Sequence, residues 1–97
     1  MKSITQIRRI LQKRKEGLHK EYGVSEIGVF GSFVRGQQNR RSDVDILVDF
    51  TKTPDLFELI RLENSLRRSL GRKVDLVRKG GIRPELRRNI LSEAVII

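Results

Sequence analysis

One segment of this chain alternates carboxylates with hydrocarbon side chains, and it constrains the fold more than any other. Asp43 and Asp45 are two residues apart, so on a β-strand they point to the same face. The residues that alternate with them are apolar: Val44, Ile46, Val48 and Phe50. The segment from residue 43 to about residue 50 therefore predicts a strand that buries one face and presents two carboxylates on the other.

A glycine-serine pair precedes this strand. An apolar segment, residues 24–30, predicts an earlier strand that ends at Gly31-Ser32. Gly31 allows a turn that points backbone N–H groups toward one place, and Ser32 then begins a helical turn whose N–H groups favour phosphate. By itself, such a pair usually marks only a turn after a strand, followed by a capping serine. Together with Arg35-Gly36 and the two aspartates, it indicates metal-assisted phosphoryl or nucleotidyl transfer.

A third carboxylate, Asp75, lies on another predicted strand, residues 73–77, which has the same alternation. If the two aspartate strands are neighbours, Asp75 lies beside Asp45. Three carboxylates around one point repel each other when ionised. Two Mg²⁺ ions that bridge them to a nucleotide triphosphate would relieve that repulsion. Asp49 shares the face but lies about 13 Å beyond Asp45 at ~3.3 Å per residue, so we do not expect it to bind the ions.

These motifs resemble the signature of the DNA polymerase beta-like nucleotidyltransferase superfamily, in particular its minimal nucleotidyltransferase (MNT) branch. The resemblance implies nucleotide-binding roles for Gly31, Ser32, Arg35, Gly36 and Ser42. It implies that Asp43, Asp45 and Asp75 are catalytic and bind the metal ions, with Asp75 helping to activate the incoming hydroxyl group. Val34 stands where many members have alanine, which is a small steric change.

The same resemblance implies a substrate and a partner. Members of this size commonly act as antitoxins of HEPN-domain ribonuclease toxins, and several inactivate the toxin by transferring AMP to it from ATP. We therefore expect an Mg²⁺-dependent protein adenylyltransferase, with a tyrosine of a HEPN toxin as the acceptor. Two alternatives remain open: an antitoxin that binds without catalysis, and a nucleotidyltransferase that acts on RNA or a small molecule.

The order of predicted elements is helix, strand, strand, helix, strand, helix, strand. It predicts an α/β (α+β) fold: a small mixed β-sheet with helices packed on one face, in a single domain over residues 1–97. The first helix begins at a cap on Ser3 or Thr5 and ends near Lys20. The second begins at Thr53 or Asp55 and ends before Gly71. Its predicted buried residues are Leu56, Leu59, Ile60, Leu62, Leu66 and Leu70.

The C-terminal part of the chain is predicted to hold a short third helix that begins at Pro84, followed by a terminal edge strand over residues 93–97. We expect Gly28 to be a place of close approach. The edge strand could instead pair with a partner or a second copy, and the sequence does not determine the oligomeric state.

The composition limits the partners. Lys and Arg number 21 against 12 acidic residues, for a net charge of +9. This favours a polyanion such as ATP, tRNA or an acidic protein surface. With four Phe and one Tyr, the chain lacks the aromatic residues of a single-strand binder, so nucleic acid is the less favoured partner. A basic nucleic-acid binder that uses the fold only as a scaffold is a further alternative.

The composition also excludes some chemistry. There is no cysteine, and therefore no disulfide, zinc-thiolate site or cysteine nucleophile. No stretch approaches the ~20 apolar residues of a membrane span, and the N-terminus has no signal-peptide run, so we expect no membrane partner and a cytoplasmic protein. The single histidine, His19, is expected at the surface. Arg35 could either hold its loop by pairing with a carboxylate or contact the triphosphate.

Overall fold

The computed structural model describes residues 3–97, which form one mixed sheet with helices around it. The four strands are β1 (Val24–Phe30), β2 (Val44–Phe50), β3 (Val74–Arg78) and β4 (Val95–Ile96). The helices are α1 (Ile4–Tyr22), α2 (Ser32–Arg35), α3 (Leu56–Leu70) and α4 (Pro84–Glu93), with a 3₁₀ turn at Lys79–Gly81. The strand order is β3-β2-β1-β4. β2 runs antiparallel to β1 and parallel to β3, which confirms the predicted mixed sheet.

Each long helix begins at a capping box. In α1, the Ser3 hydroxyl accepts a hydrogen bond from the Gln6 N–H, and the Gln6 side chain accepts one from the Ser3 N–H. Asp55 and Glu58 make the same reciprocal pair at the start of α3. These bonds satisfy N–H groups that a helix leaves without partners at its first turn. Of the two caps that were predicted for each helix, Ser3 and Asp55 are the ones used.

The larger core lies between the sheet and the two long helices. It contains fully buried residues from α1, from α3 and from one face of the central strands: Ile7, Leu11, Leu18, Ile27, Val29, Val44, Ile46, Val48, Leu62, Leu66 and Leu70. The apolar face predicted for the aspartate strand is therefore the buried face. The prediction that helices pack on one face of the sheet is confirmed for α1 and α3.

The opposite face carries a smaller apolar cluster, which the sequence analysis did not predict. Phe30, Leu47 and Ile82 form it, and Ile90 of α4 packs against them. Leu47 follows Asp43 and Asp45 in the two-residue alternation of β2, so the carboxylate face of this strand becomes apolar toward its middle. α4 therefore covers part of the face that bears the aspartates.

Two residues predicted as buried in α3 are exposed. Leu56 is 67 % exposed and Ile60 is 46 % exposed, whereas Leu62 and Leu66 are fully buried. The first turns of α3 line a groove with Leu76 and Val77 of β3. Because β3 is the edge strand of the sheet, no further strand extends beneath the outer side of these turns.

The terminal strand is shorter than predicted. α4 continues through Glu93, so the strand is limited to Val95–Ile96, which pairs antiparallel with β1. β4 approaches β1 closely at Gly28, as expected: a Cβ there would lie 2.9 Å from Ile96 Cδ1 and 3.1 Å from the Val95 carbonyl oxygen.

In residues 3–97, we find no helix whose length and apolar character would carry it across a bilayer.

A polar contact crosses the otherwise apolar interface of the two long helices. Arg14 of α1 donates from Nη1 to Ser69 Oγ at 2.7 Å and to the Ser65 carbonyl oxygen at 3.1 Å, and from Nη2 to Ser65 Oγ at 2.7 Å. Ser65 is 7 % exposed. A buried hydroxyl group without a partner is unfavourable, so Arg14 both joins the helices and satisfies Ser65.

We expect Arg14→Met to lower the free energy of unfolding by about 2 kcal/mol, because it removes three hydrogen bonds and leaves buried polar atoms unpaired. Urea unfolding followed by circular dichroism measures this change. Arg9→Met, at an exposed position of the same helix, is the matched control and should change stability by less than about 0.5 kcal/mol. Equal stabilities for the two variants would contradict this account of Arg14.

Candidate active site

The sheet register brings the three predicted aspartates together. Asp45 of β2 is the direct neighbour of Asp75 on β3, and its partner on the other side is Phe30 at the end of β1. Asp43 immediately precedes β2, two residues from Asp45 on the same side of the strand. Asp43 and Asp75 are exposed, whereas Asp45 is partly buried between its neighbours.

The neighbourhood of Asp45 favours its protonated form. The pKa of this carboxyl group is raised from 3.8 to about 6, first because burial removes water from the charged form, then because of the charges on Asp75 and Asp43. A side-chain hydrogen bond with Asp75 acts in the same direction, and the positive charge of Arg35 opposes it. A partly buried carboxylate held beside other carboxylates in this way is typical of residues that bind a cation.

Gly31 brings the backbone against this carboxylate. Its φ of 78° and ψ of −152° lie in a region that only glycine adopts readily. A Cβ at this position would lie 2.8 Å from Asp45 Cγ and would overlap the Asp45 carboxylate oxygen. The turn therefore requires glycine for two reasons, its dihedral angles and the space that Asp45 occupies.

α2 follows this turn at once. The N–H groups of Val34 and Arg35 donate to the Gly31 carbonyl oxygen at 3.1 and 3.2 Å. The first N–H groups of a helix have no partner within it, and the local dipole there favours an anion. Ser32 is the first residue of α2 and lies one residue after the glycine that contacts Asp45. Its predicted place beside a nucleotide phosphate is compatible with this geometry.

Glu93, at the end of α4, contacts both ends of α2. Its Oε1 accepts a hydrogen bond from the Gly31 N–H at 2.7 Å. Arg35 Nη1 donates to Oε1 and Oε2 of the same carboxylate, at 3.0 Å each. Of the two roles open to Arg35, the structure shows pairing with a carboxylate. Sequence reasoning missed Glu93, because its partner lies 58 residues away and no local pattern connects them.

A second residue that sequence reasoning missed is Arg72. Its guanidinium group donates to three carbonyl oxygens of the loop before β2: Nη2 contacts those of Asn39, Arg40 and Ser42 at 2.9, 3.0 and 2.7 Å. Its Cζ lies 5.3 Å from the centre of the Phe33 ring. Arg72 therefore joins the loop that leads to the aspartates to the buried side of α2.

Four further residues from the sequence analysis can be placed, and His19 and Asp49 are exposed as expected. The Ser42 hydroxyl accepts a hydrogen bond from the Asn39 N–H at 2.8 Å, so it folds the loop that leads to the aspartates. Gly36 ends α2 and has open space around it. His19 is exposed, with Nδ1 3.0 Å from the Val24 carbonyl oxygen, and Asp49 is exposed near the far end of β2.

A cavity of about 450 Å³ adjoins the site. Its lining combines the end of β1, the aspartate strand and α4: Phe30, Gly31, Arg35, Asp45, Leu86, Asn89, Ile90, Ser92 and Glu93. A cavity of about 500 Å³ between α1 and the start of β1 contains none of the three aspartates. A smaller cavity of about 280 Å³ adjoins Asp43. The cavity at Asp45 is the one whose lining combines an aspartate with the Gly31 turn.

The three carboxylates suit a magnesium ion only if a ligand completes its coordination. Across residues 3–97, no three acidic, histidine or cysteine side chains converge closely enough to enclose a metal ion. Mg²⁺ is usually bound by one or two carboxylates and completes its octahedral shell with water and substrate phosphates. A cation at Asp45 and Asp75 would also offset the repulsion that raises the Asp45 pKa. The oxygen donors present therefore fit Mg²⁺ bound together with a nucleotide.

Comparison with known proteins agrees with this chemistry. The profile of the family described as "Nucleotidyltransferase domain" matches residues 4–97. Protein adenylyltransferase MntA of Thermococcus cleftensis is 44 % identical over 97 residues, which covers all of this chain and 98 % of the relative. A protein of Methanocaldococcus jannaschii, provisionally named a protein adenylyltransferase, is 43 % identical over 98 residues and is covered in full.

Solved structures show the same fold. A structure described as a minimal nucleotidyltransferase superposes with a TM-score of 0.74 at 34 % identity, over 92 % of this chain and 93 % of that one. A toxin–antitoxin structure with AMP-PNP contains a chain that superposes with a TM-score of 0.72 at 26 % identity, over 88 % of this chain and 70 % of that one. The resemblance and the fold inferred from the sequence motifs are thereby confirmed.

We expect Gly31→Ala to destabilise the protein more than Gly36→Ala. Both changes place alanine at positive φ, at 78° and 70° respectively, but only Gly31 lies against another side chain. Gly36→Ala should lower the free energy of unfolding by about 1 kcal/mol, and Gly31→Ala by at least about 2–3 kcal/mol. Gly31 also differs from Gly36 in ψ, −152° against 23°. Urea unfolding of both variants measures the difference, and equal losses would show that neither this backbone conformation nor the contact with Asp45 adds to the cost.

Asp45→Asn should stabilise the ligand-free protein above pH 6. Because the folded-state pKa of Asp45 is raised to about 6 from 3.8, its ionisation opposes folding, and stability falls as the pH rises between these values. In EDTA at pH 7.5 the variant should gain on the order of 1 kcal/mol, after allowance for solvent screening. At pH 4 the gain should nearly vanish. Asp49→Asn is the control, and a gain independent of pH would contradict the prediction.

Proposed function

This chain belongs to the nucleotidyltransferase family, and we propose that it transfers AMP from ATP to a hydroxyl group of a HEPN-type ribonuclease toxin, acting as that toxin's antitoxin. One observation carries the proposal: Asp45 lies between Asp75 and the Gly31 turn and lines a cavity of about 450 Å³. Carboxylates and a helix N-terminus at one point serve a reaction in which a polyphosphate must be held and its charge neutralised.

The transfer itself is a displacement at phosphorus. The oxygen of the acceptor hydroxyl group forms a bond to the α-phosphorus of ATP, and the bond from that phosphorus to the oxygen bridging it to the β-phosphate breaks. Pyrophosphate leaves with that bridging oxygen. We assign Asp75 to activate the acceptor hydroxyl by accepting its proton, because Asp75 is exposed and adjacent to Asp45.

Asp43, Asp45 and Asp75 would hold Mg²⁺. When bound, two ions of this kind orient the α-phosphate and neutralise charge as it moves to the leaving group. The positions of the neighbouring groups suggest a place for the rest of the nucleotide. Ser32, at the start of α2, is assigned to the β- and γ-phosphates.

The remaining predicted nucleotide-binding residues would act through the turn and the loop around it. Gly31 provides the close approach to Asp45. Arg35 and Gly36 end α2, and Ser42 closes the loop before the aspartates. We propose that they shape the phosphate site and that Arg35 also contributes its charge.

The acceptor is inferred from relatives. The Thermococcus cleftensis protein is named a protein adenylyltransferase, and a solved relative is a toxin–antitoxin assembly with the ATP analogue AMP-PNP. Another solved complex pairs an MNT antitoxin with a tri-AMPylated HEPN toxin of Shewanella oneidensis, and at 22 % identity this likeness is one of fold. We propose a toxin tyrosine as the acceptor, since its phenol group can reach an exposed site such as that of Asp75.

We expect radiolabel from α-labelled ATP, in the presence of Mg²⁺, to appear on a HEPN-domain toxin that is offered as the acceptor. Asp43→Ala/Asp45→Ala should lower the transfer rate by more than about 100-fold, because it removes two ligands of the ions. EDTA should abolish labelling of the wild type. Scintillation counting of the separated acceptor measures the rate.

Asp49→Ala is the matched control, since it removes an exposed aspartate of the same strand outside the site. It should transfer label as the wild type does. A stable complex between the two proteins without any label would support binding without catalysis. Label on RNA, with none on the protein, would identify the other alternative.

A further inference from the structure

Glu93 connects the end of α4 to both ends of the one-turn helix α2. Its carboxylate accepts the Gly31 N–H at 2.7 Å and pairs with Arg35 at 3.0 Å. The Glu93 side chain is 26 % exposed and that of Arg35 is 48 % exposed, so water screens the pair only in part. Hydrogen bonds between charged groups that are partly shielded from water are stronger and more directional than hydrogen bonds between neutral groups.

The sheet register explains why Glu93 reaches Gly31. β4 pairs with β1 at Gly28↔Ile96 and Val29↔Val95. Continued by two residues, this register places Gly31 opposite Glu93. Glu93 is the last residue of α4, so its backbone is helical and its side chain provides the acceptor that a longer strand would have provided. The contact is therefore an extension of the β1–β4 pairing toward the active site.

The same carboxylate fixes the plane of the Arg35 guanidinium group. Nη1 donates to Glu93, and Nε donates to Gln37 Oε1 at 3.0 Å. With two of its three nitrogens held, the planar group has one orientation, and Nη2 is left to donate to a ligand. A donor that is already oriented loses less conformational entropy when a phosphate binds.

We propose that Glu93 is a positioning residue for the nucleotide, which holds the Gly31 turn and aims Arg35 at the phosphates of ATP. This rests on the function proposed above. Glu93 reaches Gly31 from the β4 side of β1, whereas Asp45 lies on the β2 side. Both carboxylates line the cavity, on opposite sides of the Gly31 turn, so Glu93 holds the turn without taking the place of Asp45.

The experiment is titration calorimetry of the full chain with Mg²⁺ and AMP-PNP, without any acceptor. Glu93→Ala should weaken binding about tenfold, because the turn and Arg35 both lose their support. Glu93→Gln should weaken it about threefold, since its amide oxygen still accepts the Gly31 N–H but carries no charge for Arg35. Glu85→Gln removes an exposed charge from the same helix and should bind as the wild type does.

Two further measurements separate positioning from general stability. In an Arg35→Ala background, Glu93→Ala should cause a much smaller loss of affinity than it does alone, because the two residues act together. In the ligand-free protein, the Gly31 amide should exchange with solvent faster in Glu93→Ala than in the wild type, as NMR measures. In the transfer assay, Glu93→Ala should raise KM for ATP by a larger factor than it lowers kcat.

In this titration, a failure of the inference about Glu93 and a failure of the proposed function give different results. Wild-type binding of AMP-PNP with unchanged affinity in Glu93→Ala would overturn the role of Glu93 alone. Tighter binding by Glu93→Ala would overturn it too, because that result would show the carboxylate competing with phosphate. A wild-type protein that binds no AMP-PNP would overturn the proposed function, and the inference about Glu93 with it.

Discussion

The contact between the Gly31 backbone and the Asp45 carboxylate is the constraint on which the site depends. It requires a residue without a side chain at a φ of 78°, directly after the strand that pairs with the aspartate strand. It also removes water from one side of Asp45, and this burial is the largest cause of its raised pKa. The same close approach therefore determines both the geometry of the turn and the environment that favours the protonated form of Asp45.

The mixed strand directions of the sheet bring the groups of the site to one end. β2 is antiparallel to β1, so the end of β1 meets the start of β2, where the aspartates lie. β2 is parallel to β3, so the start of β3 brings Asp75 to that same end. α3 makes the crossover between these parallel strands and packs on the apolar face, which leaves the carboxylate end open.

Local patterns were sufficient to predict the strands, the two long helices and the placing of the three aspartates on one face. Alternation with period two identifies the faces of β2 and β3, and capping residues identify where the helices start. These signals lie within a few residues of the elements that they specify. These signals failed where a neighbouring element determines whether a residue is buried. Leu56 and Ile60 have the right spacing for burial, but they lie over the edge strand.

The residues that hold the turn and the loop were beyond such patterns. Arg72 follows α3 and supports the loop before Asp43, while Glu93 ends α4 and supports the turn at Gly31. Each is one charged residue among 33 in a chain of 97, and nothing in its local sequence distinguishes it. Their partners are set by the sheet register and by the crossover, which exist only once the chain has folded.

This arrangement gives the basic composition a specific role at the site. Arg35 and Arg72 bind the protein's own oxygens, so part of the positive charge serves to order the backbone around three aspartates. An arginine that satisfies carbonyl or carboxylate groups fixes a loop without adding apolar surface. In a chain with a modest core, such contacts allow exposed segments to hold the three aspartates in place.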